Sequence, residues 1–131
     1  MPLAITTQAQ TLVVKKQIVD RLIAMERLTQ AEVKECGGVN KIIYSLQNID
    51  LNKDGKPEFI ADFNCAGNFE FWVCRKTANG IDIIYEGGER EGITPLKTYT
   101  NGWRNLRSTS WSAGTGESGS VTLRWNGREY K

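Results

Sequence analysis

The stretch GGVNKIIYSLQNIDLNKDGKPEFIADF, residues 37–63, is where the hydrophobic period of this chain changes. Before it, apolar residues recur every three or four positions, as on one face of a helix; within and after it they alternate, as on a strand. Gly37-Gly38 supplies the left-handed backbone on which a helix ends. Ile42, Ile43, Tyr44 and Leu46 then predict a strand from Lys41 to Ile49, and Phe59 and Ile60 a second from Glu58 to Phe63. The segment joining them, Asp50 to Pro57, is short and rich in oxygen donors.

Working outward toward the N-terminus, Val14, Ile18, Leu22 and Met25 form a stripe widened by Val19 and Ile23, while Lys15, Lys16, Asp20, Arg21 and Glu26 fall elsewhere. That pattern predicts an amphipathic helix from about Thr11, with residues 1–10 as a frayed lead-in. Thr29-Gln30-Ala31-Glu32 has the capping-box spacing, so a second short helix should begin there. Toward the C-terminus, Phe69 to Lys76 reads as a strand, and Ile81 to Tyr85 as another after the Asn79-Gly80 turn. Weaker strand signals follow at Leu96 to Tyr99, Ser108 to Ser112 and Val121 to Trp125, the last before Asn126-Gly127. The expected fold is α+β: an N-terminal helix, or helix pair, packed on an antiparallel β-meander of about six or seven strands. Residues 1–131 are expected to be one domain, helical over 11–38 and sheet over 41–131.

Composition narrows the chemistry. At 131 residues the chain can bury about two-thirds of its unfolded surface in one core. There is no histidine, which removes imidazole-activated nucleophiles and histidine-containing zinc sites. A net charge of +2 is too small to make nucleic acid the expected partner, and no continuous apolar run is long enough to span a membrane. Met1-Pro2-Leu3 does not open a signal peptide. Three cysteines cannot all pair within one chain. If Phe63 faces Phe69 across a hairpin, Cys74 lies opposite Glu58, too far from Cys65 for a disulfide. Cys36, at the predicted helix end, is left to meet either Cys65 or Cys74.

The local signal with most chemistry is Asp50-Leu51-Asn52-Lys53-Asp54-Gly55-Lys56-Pro57-Glu58. Oxygen donors at relative positions 1, 3, 5 and 9 with glycine at 6 have the spacing of a loop that curls around calcium, the Lys56 carbonyl pointing in from position 7. Position 12 is Ala61 and the flanks are strands, so the loop is not an EF-hand. An Asp/Asn/Gly turn held by its own side-chain to backbone bonds has the same composition. With the following strand Phe59-Ile60-Ala61-Asp62, the loop resembles the calcium loop of FG-GAP or VCBS-type repeats, found in bacterial extracellular proteins and integrin-like propellers. The resemblance implies Asp50, Asn52, Asp54 and Glu58 as side-chain ligands, Lys56 as a carbonyl ligand, and a structural calcium ion. Only one copy occurs, as in small bacterial exported proteins that carry a single such loop after a helix.

The segment Tyr99 to Arg107 mixes tryptophan and arginine in what reads as a turn, a composition typical of binding hot spots. Trp103, Arg104, Arg107, Trp111 and Ser118 are the candidate partner-binding residues. Gly114 to Gly119 fits G-x-G-x-x-G, but a strand-like segment follows where a dinucleotide site needs a helix. The expectation is a non-catalytic, periplasmic or secreted bacterial protein-binding domain, its signal peptide already removed. Its partner would be a cell-wall lytic enzyme or a toxin, as for inhibitors and immunity proteins. The alternative is a cell-wall carbohydrate-binding module using an exposed Trp103 or Trp111.

Overall fold

The computed structural model describes residues 8–65, 68–87, 92–111 and 118–131. Among the described residues three helices precede seven strands: α1 (Gln8–Ala24), α2 (Gln30–Glu35), α3 (Val39–Ile42), β1 (Ile43–Ile49), β2 (Glu58–Cys65), β3 (Asn68–Thr77), β4 (Gly80–Glu86), β5 (Gly92–Thr100), β6 (Trp103–Trp111) and β7 (Ser118–Leu123). The helical stripe is confirmed, since Val14, Ile18, Val19 and Leu22 are all buried. Each such side chain contributes roughly 1.5–3 kcal/mol of burial, which holds α1 to the sheet. Residues 8–10, expected in the lead-in, are helical, and residues 1–7 lie outside the described residues. Lys15, expected on the polar face, is also buried, and its ammonium donates to Asn40 Oδ1 at 2.9 Å, which gives one of its N–H groups a partner.

The capping box forms as the sequence predicts. The Glu32 amide donates to Thr29 Oγ1 at 3.1 Å, and the Thr29 amide donates to Glu32 Oε1 at 3.1 Å. Helix α2 nevertheless buries none of its residues. One further helical turn, α3, occupies the start of the expected first strand: the Lys41 and Ile42 amides both donate back to Gly38 O, delaying β1 to Ile43.

The strands make two antiparallel sheets, β1-β2-β3-β4 and β5-β6-β7, where one meander was expected. The reason lies in the central strands. Phe59, Ala61, Phe63, Trp72 and Cys74 face the helices, while Ile60 and Val73, on the opposite face, pack with Ile84, Leu106 and Leu123. A sheet apolar on both faces requires two covers. The helices supply one and the second sheet supplies the other, giving a helix, sheet, sheet stack with two cores.

Between β2 and β3 the register differs by one residue from the expected hairpin: Phe63 lies opposite Glu70, and Asn64 and Cys65 continue the ladder to Phe69 and Asn68. The connection is therefore two residues, and Cys74 faces Phe59 instead of Glu58. Cys36 and Cys65 form a disulfide with Cα atoms 5.4 Å apart, joining the end of α2 to the end of β2. Cys74 is a buried free thiol, its pKa pushed up by desolvation. Among the described residues, no helix is long and apolar enough to cross a membrane.

Candidate metal loop at the sheet junction

The loop between β1 and β2 is closed by its own side chains. Gly55 and Lys53 both take positive φ, +81° and +62°, so the bend rests on a glycine that permits it and a lysine strained into it. Asp50 Oδ2 accepts from the Gly55 amide at 2.8 Å, and Asp54 Oδ1 accepts from the Lys56 amide at 2.8 Å. One end of the Asn52 amide lies 2.9 Å from Asp54 Oδ1 and 3.2 Å from Asp50 Oδ1. With oxygen at that end, it also accepts from the Asp54 amide at 3.3 Å.

Two chemistries fit this geometry. With nitrogen at that end, the Asn52 amide donates to both carboxylates and the turn needs no ion. With oxygen there, it lies beside a carboxylate oxygen of each aspartate. Ligands about 2.4 Å from a shared calcium ion and a right angle or less apart are themselves about 3 Å apart, the spacing found here. Two separations in the loop thus have the spacing of neighbouring calcium ligands, while the hydrogen-bonding surroundings of Asn52 favour nitrogen at that end.

Glu58 stands differently. It is 4% exposed, and its Oε1 accepts from the Leu51 amide at 2.7 Å, beneath the loop. Burial pushes its pKa up to about 7, against the opposing pull of that amide, and the nearby Asp54 and Asp50 charges push the same way. A cation in the loop would relieve that accumulation of negative charge. Among the described residues, no group of three or more cysteine or acidic side chains is gathered so as to hold a metal by itself. Asn52, an amide, is the group that lies between the two aspartates, and Lys56 enters through its amide, which donates to Asp54.

The loop is also bolted to the second sheet. Leu51 is fully buried in the core between the sheets, and its carbonyl accepts from the Arg104 amide at 2.7 Å. The Lys53 ammonium sits 4.2 Å from the centre of the Tyr99 ring. Behind the loop, Trp103 stacks on Trp125 at 4.0 Å, and both rings meet Tyr130 edge-on. The Tyr130 hydroxyl donates to Arg104 O at 2.7 Å, and its amide donates to Ile84 O at 2.9 Å, tying the two sheets again.

This arrangement corrects the expected binding turn. Tyr99 to Arg107 is the end of β5, a two-residue turn and the start of β6. Asn101-Gly102 is the turn, both at positive φ, so the Asn-Gly dipeptide was an available hairpin signal. Trp103 is 8% exposed and belongs to the core, so its ring is not presented to a partner. The Arg104 guanidinium donates to Leu96 O and braces the hairpin. Arg107 remains exposed, in one cross-strand row with Thr94 and Thr122. Trp111 and Ser118 face each other as a backbone pair between β6 and β7, and their side chains lie outside the described residues. Residues 114–117 of the glycine-rich stretch also lie outside them, while Ser118–Leu123 is the strand β7.

Comparison with known proteins finds no match: no family model fits the chain, and no curated protein or solved structure aligns with it significantly. The likeness to FG-GAP loops rests on the loop residues themselves.

Proposed function

We propose that this chain is a non-catalytic, exported bacterial domain that binds another protein, of the inhibitor or toxin-immunity type. Its 50–58 loop holds calcium as a structural ion, with Asp50, Asn52, Asp54 and Glu58 as side-chain ligands and the Lys56 carbonyl completing the set. The observation that carries this reading is the loop's position: the side chains of Asp50, Asn52 and Asp54 crowd together where Leu51 and Arg104 join the two sheets, so an ion there would fix the scaffold. Two further features support it. The Cys36–Cys65 disulfide suits an oxidising compartment. The row of exposed Thr94 and Arg107 with half-buried Thr122 gives the second sheet a side with a solvent-facing cation at its centre, suited to an acidic partner surface. The carbohydrate alternative loses Trp103, which is enclosed by Trp125 and Tyr130.

The metal is tested by thermal melts in calcium and in EDTA. Calcium should raise the melting temperature with concentration, by RT ln(1 + [L]/Kd) in free energy, and Asp54→Ala should abolish the rise. Equal melting in both buffers refutes the ion. The partner is tested by adding the protein to peptidoglycan-lysing enzymes and to candidate toxins. Wild type should inhibit one of them in stoichiometric amounts and Arg107→Glu should not; inhibition of none refutes the binding role.

A further inference from the structure

The disulfide lies in the wall of a cleft. Cys36 and Cys65, both half-buried, line an open cavity of about 330 Å³ between α2 and the end of the first sheet. Leu28 and Phe63 contribute apolar wall, and Glu32, Glu35 and Glu70 bring three carboxylates. The cation in the lining, Arg27, reaches away to Glu86 at 3.4 Å. The disulfide therefore borders an open cleft whose wall carries carboxylates.

What the disulfide holds is unusual. Helix α2 is six residues long and buries none of them, and a helix that short is not stable by itself. Its capping box satisfies its first turn but adds no contact with the sheet. Val33, Cys36 and Val39 are only partly buried against the core. The covalent link to β2 thus supplies the attachment that α1 obtains from its buried stripe.

We propose that Cys36–Cys65 is a reducible latch for residues 29–38, and that the carboxylates around it select against anionic thiols. In the exchange, a thiolate of a dithiol attacks one sulfur of the disulfide and releases the other as a cysteine thiolate, which takes up a proton. The second thiol then displaces the remaining cysteine, so the dithiol is oxidised by two electrons to its disulfide and Cys36 and Cys65 are each reduced to a thiol. Cys74 takes no part: it faces Phe59, six residues along β2 from Cys65, about 20 Å away at about 3.3 Å per residue. Once the latch opens, α2 detaches while the β2–β3 ladder stays paired. The carboxylates repel an approaching thiolate, most strongly when the thiol carries a further negative charge.

Two measurements on the full chain test this. Hydrogen exchange with and without dithiothreitol should show residues 29–38 exchanging at least tenfold faster after reduction, with β2 and β3 unchanged; the Cys36→Ser, Cys65→Ser double variant should match the reduced form. Unchanged exchange in 29–38 after two thiols have been alkylated overturns the latch, as does loss of protection throughout the sheet. Reduction rates with cysteamine, 2-mercaptoethanol and 2-mercaptoethanesulfonate are compared per thiolate, relative to the same thiols acting on an uncharged disulfide. They should fall in that order, over a span of roughly threefold or more at low salt, and converge at about 0.5 M salt, where the Debye length is only a few ångströms. Equal relative rates, or a span unchanged in Glu35→Gln, Glu70→Gln, overturn the charge selection.

Discussion

Replacing Trp103 with alanine separates a core residue from a binding residue, because the two roles demand opposite results. The indole is 8% exposed, lies 4.0 Å from the Trp125 ring at an interplanar angle of 17°, and meets the Tyr130 ring edge-on at 6.3 Å. Truncating a buried tryptophan to alanine costs about 3–5 kcal/mol through lost transfer energy and the cavity left behind. Unfolding entropies of about 2.1 cal/mol/K per residue give a chain of this size about 0.28 kcal/mol/K at its midpoint, so the melting temperature should drop by about 11–18 °C. Calorimetry measures the drop, and near-ultraviolet circular dichroism should lose the signal of the stacked indoles in the same variant. Trp103→Phe, which keeps a ring against Trp125, should recover about half of the loss. A fall of less than about 3 °C with the dichroism intact would refute the placement of Trp103 as the keystone between the sheets.

Tyr130→Phe keeps the ring but removes the hydroxyl that donates to Arg104 O at 2.7 Å, and should cost about 0.5–1.5 kcal/mol in urea unfolding; no change would mean the carbonyl is satisfied without it. Glu58 makes stability depend on pH in EDTA. Its carboxyl titrates near 7 when folded and near 4.5 when unfolded, so between those values the folded state holds the proton more tightly. This contribution, up to about 3 kcal/mol at 1.36 kcal/mol per pKa unit, is fully present below pH 4.5 and is lost as pH rises through 7. Denaturation midpoints of wild type should fall over that window relative to Glu58→Gln; parallel curves would show that the carboxyl titrates alike in both states.

Much of the fold was legible because its signals are local. The stripe of Val14, Ile18, Val19 and Leu22 and the Thr29-Glu32 box depend only on neighbours three or four residues apart, and both form as read. The division into two sheets was not local. Ile60 and Val73 occur in apolar runs with Phe59, Ala61 and Trp72, and such runs report burial on both faces without saying what covers the second. The loop's oxygens could be read from spacing, but Leu51 could not, since an apolar residue between two donors gives no sign that it reaches a distant core. Trp103 was misread because tryptophan beside arginine signals an interface only when the ring is exposed. Asn101-Gly102 places it on a strand instead, facing inward.

The joining of loop and core has a thermodynamic consequence for any ligand that binds the loop. The Arg104 amide and Leu51 carbonyl are hydrogen-bonded, and Leu51 packs in the same core as Trp103, Trp125 and Tyr130. A ligand that binds the closed loop better than the open one therefore stabilises this core, and by reciprocity anything that loosens the core weakens the ligand by the same factor. Trp103→Ala alters none of the candidate ligands, yet it should lower calcium affinity if loop closure and sheet packing form one cooperative unit. Titrating wild type and variant, both folded, with calcium measures that coupling directly. Equal affinities would mean that the loop closes independently, leaving the ion, if bound, to stabilise a hairpin and not the junction of two sheets.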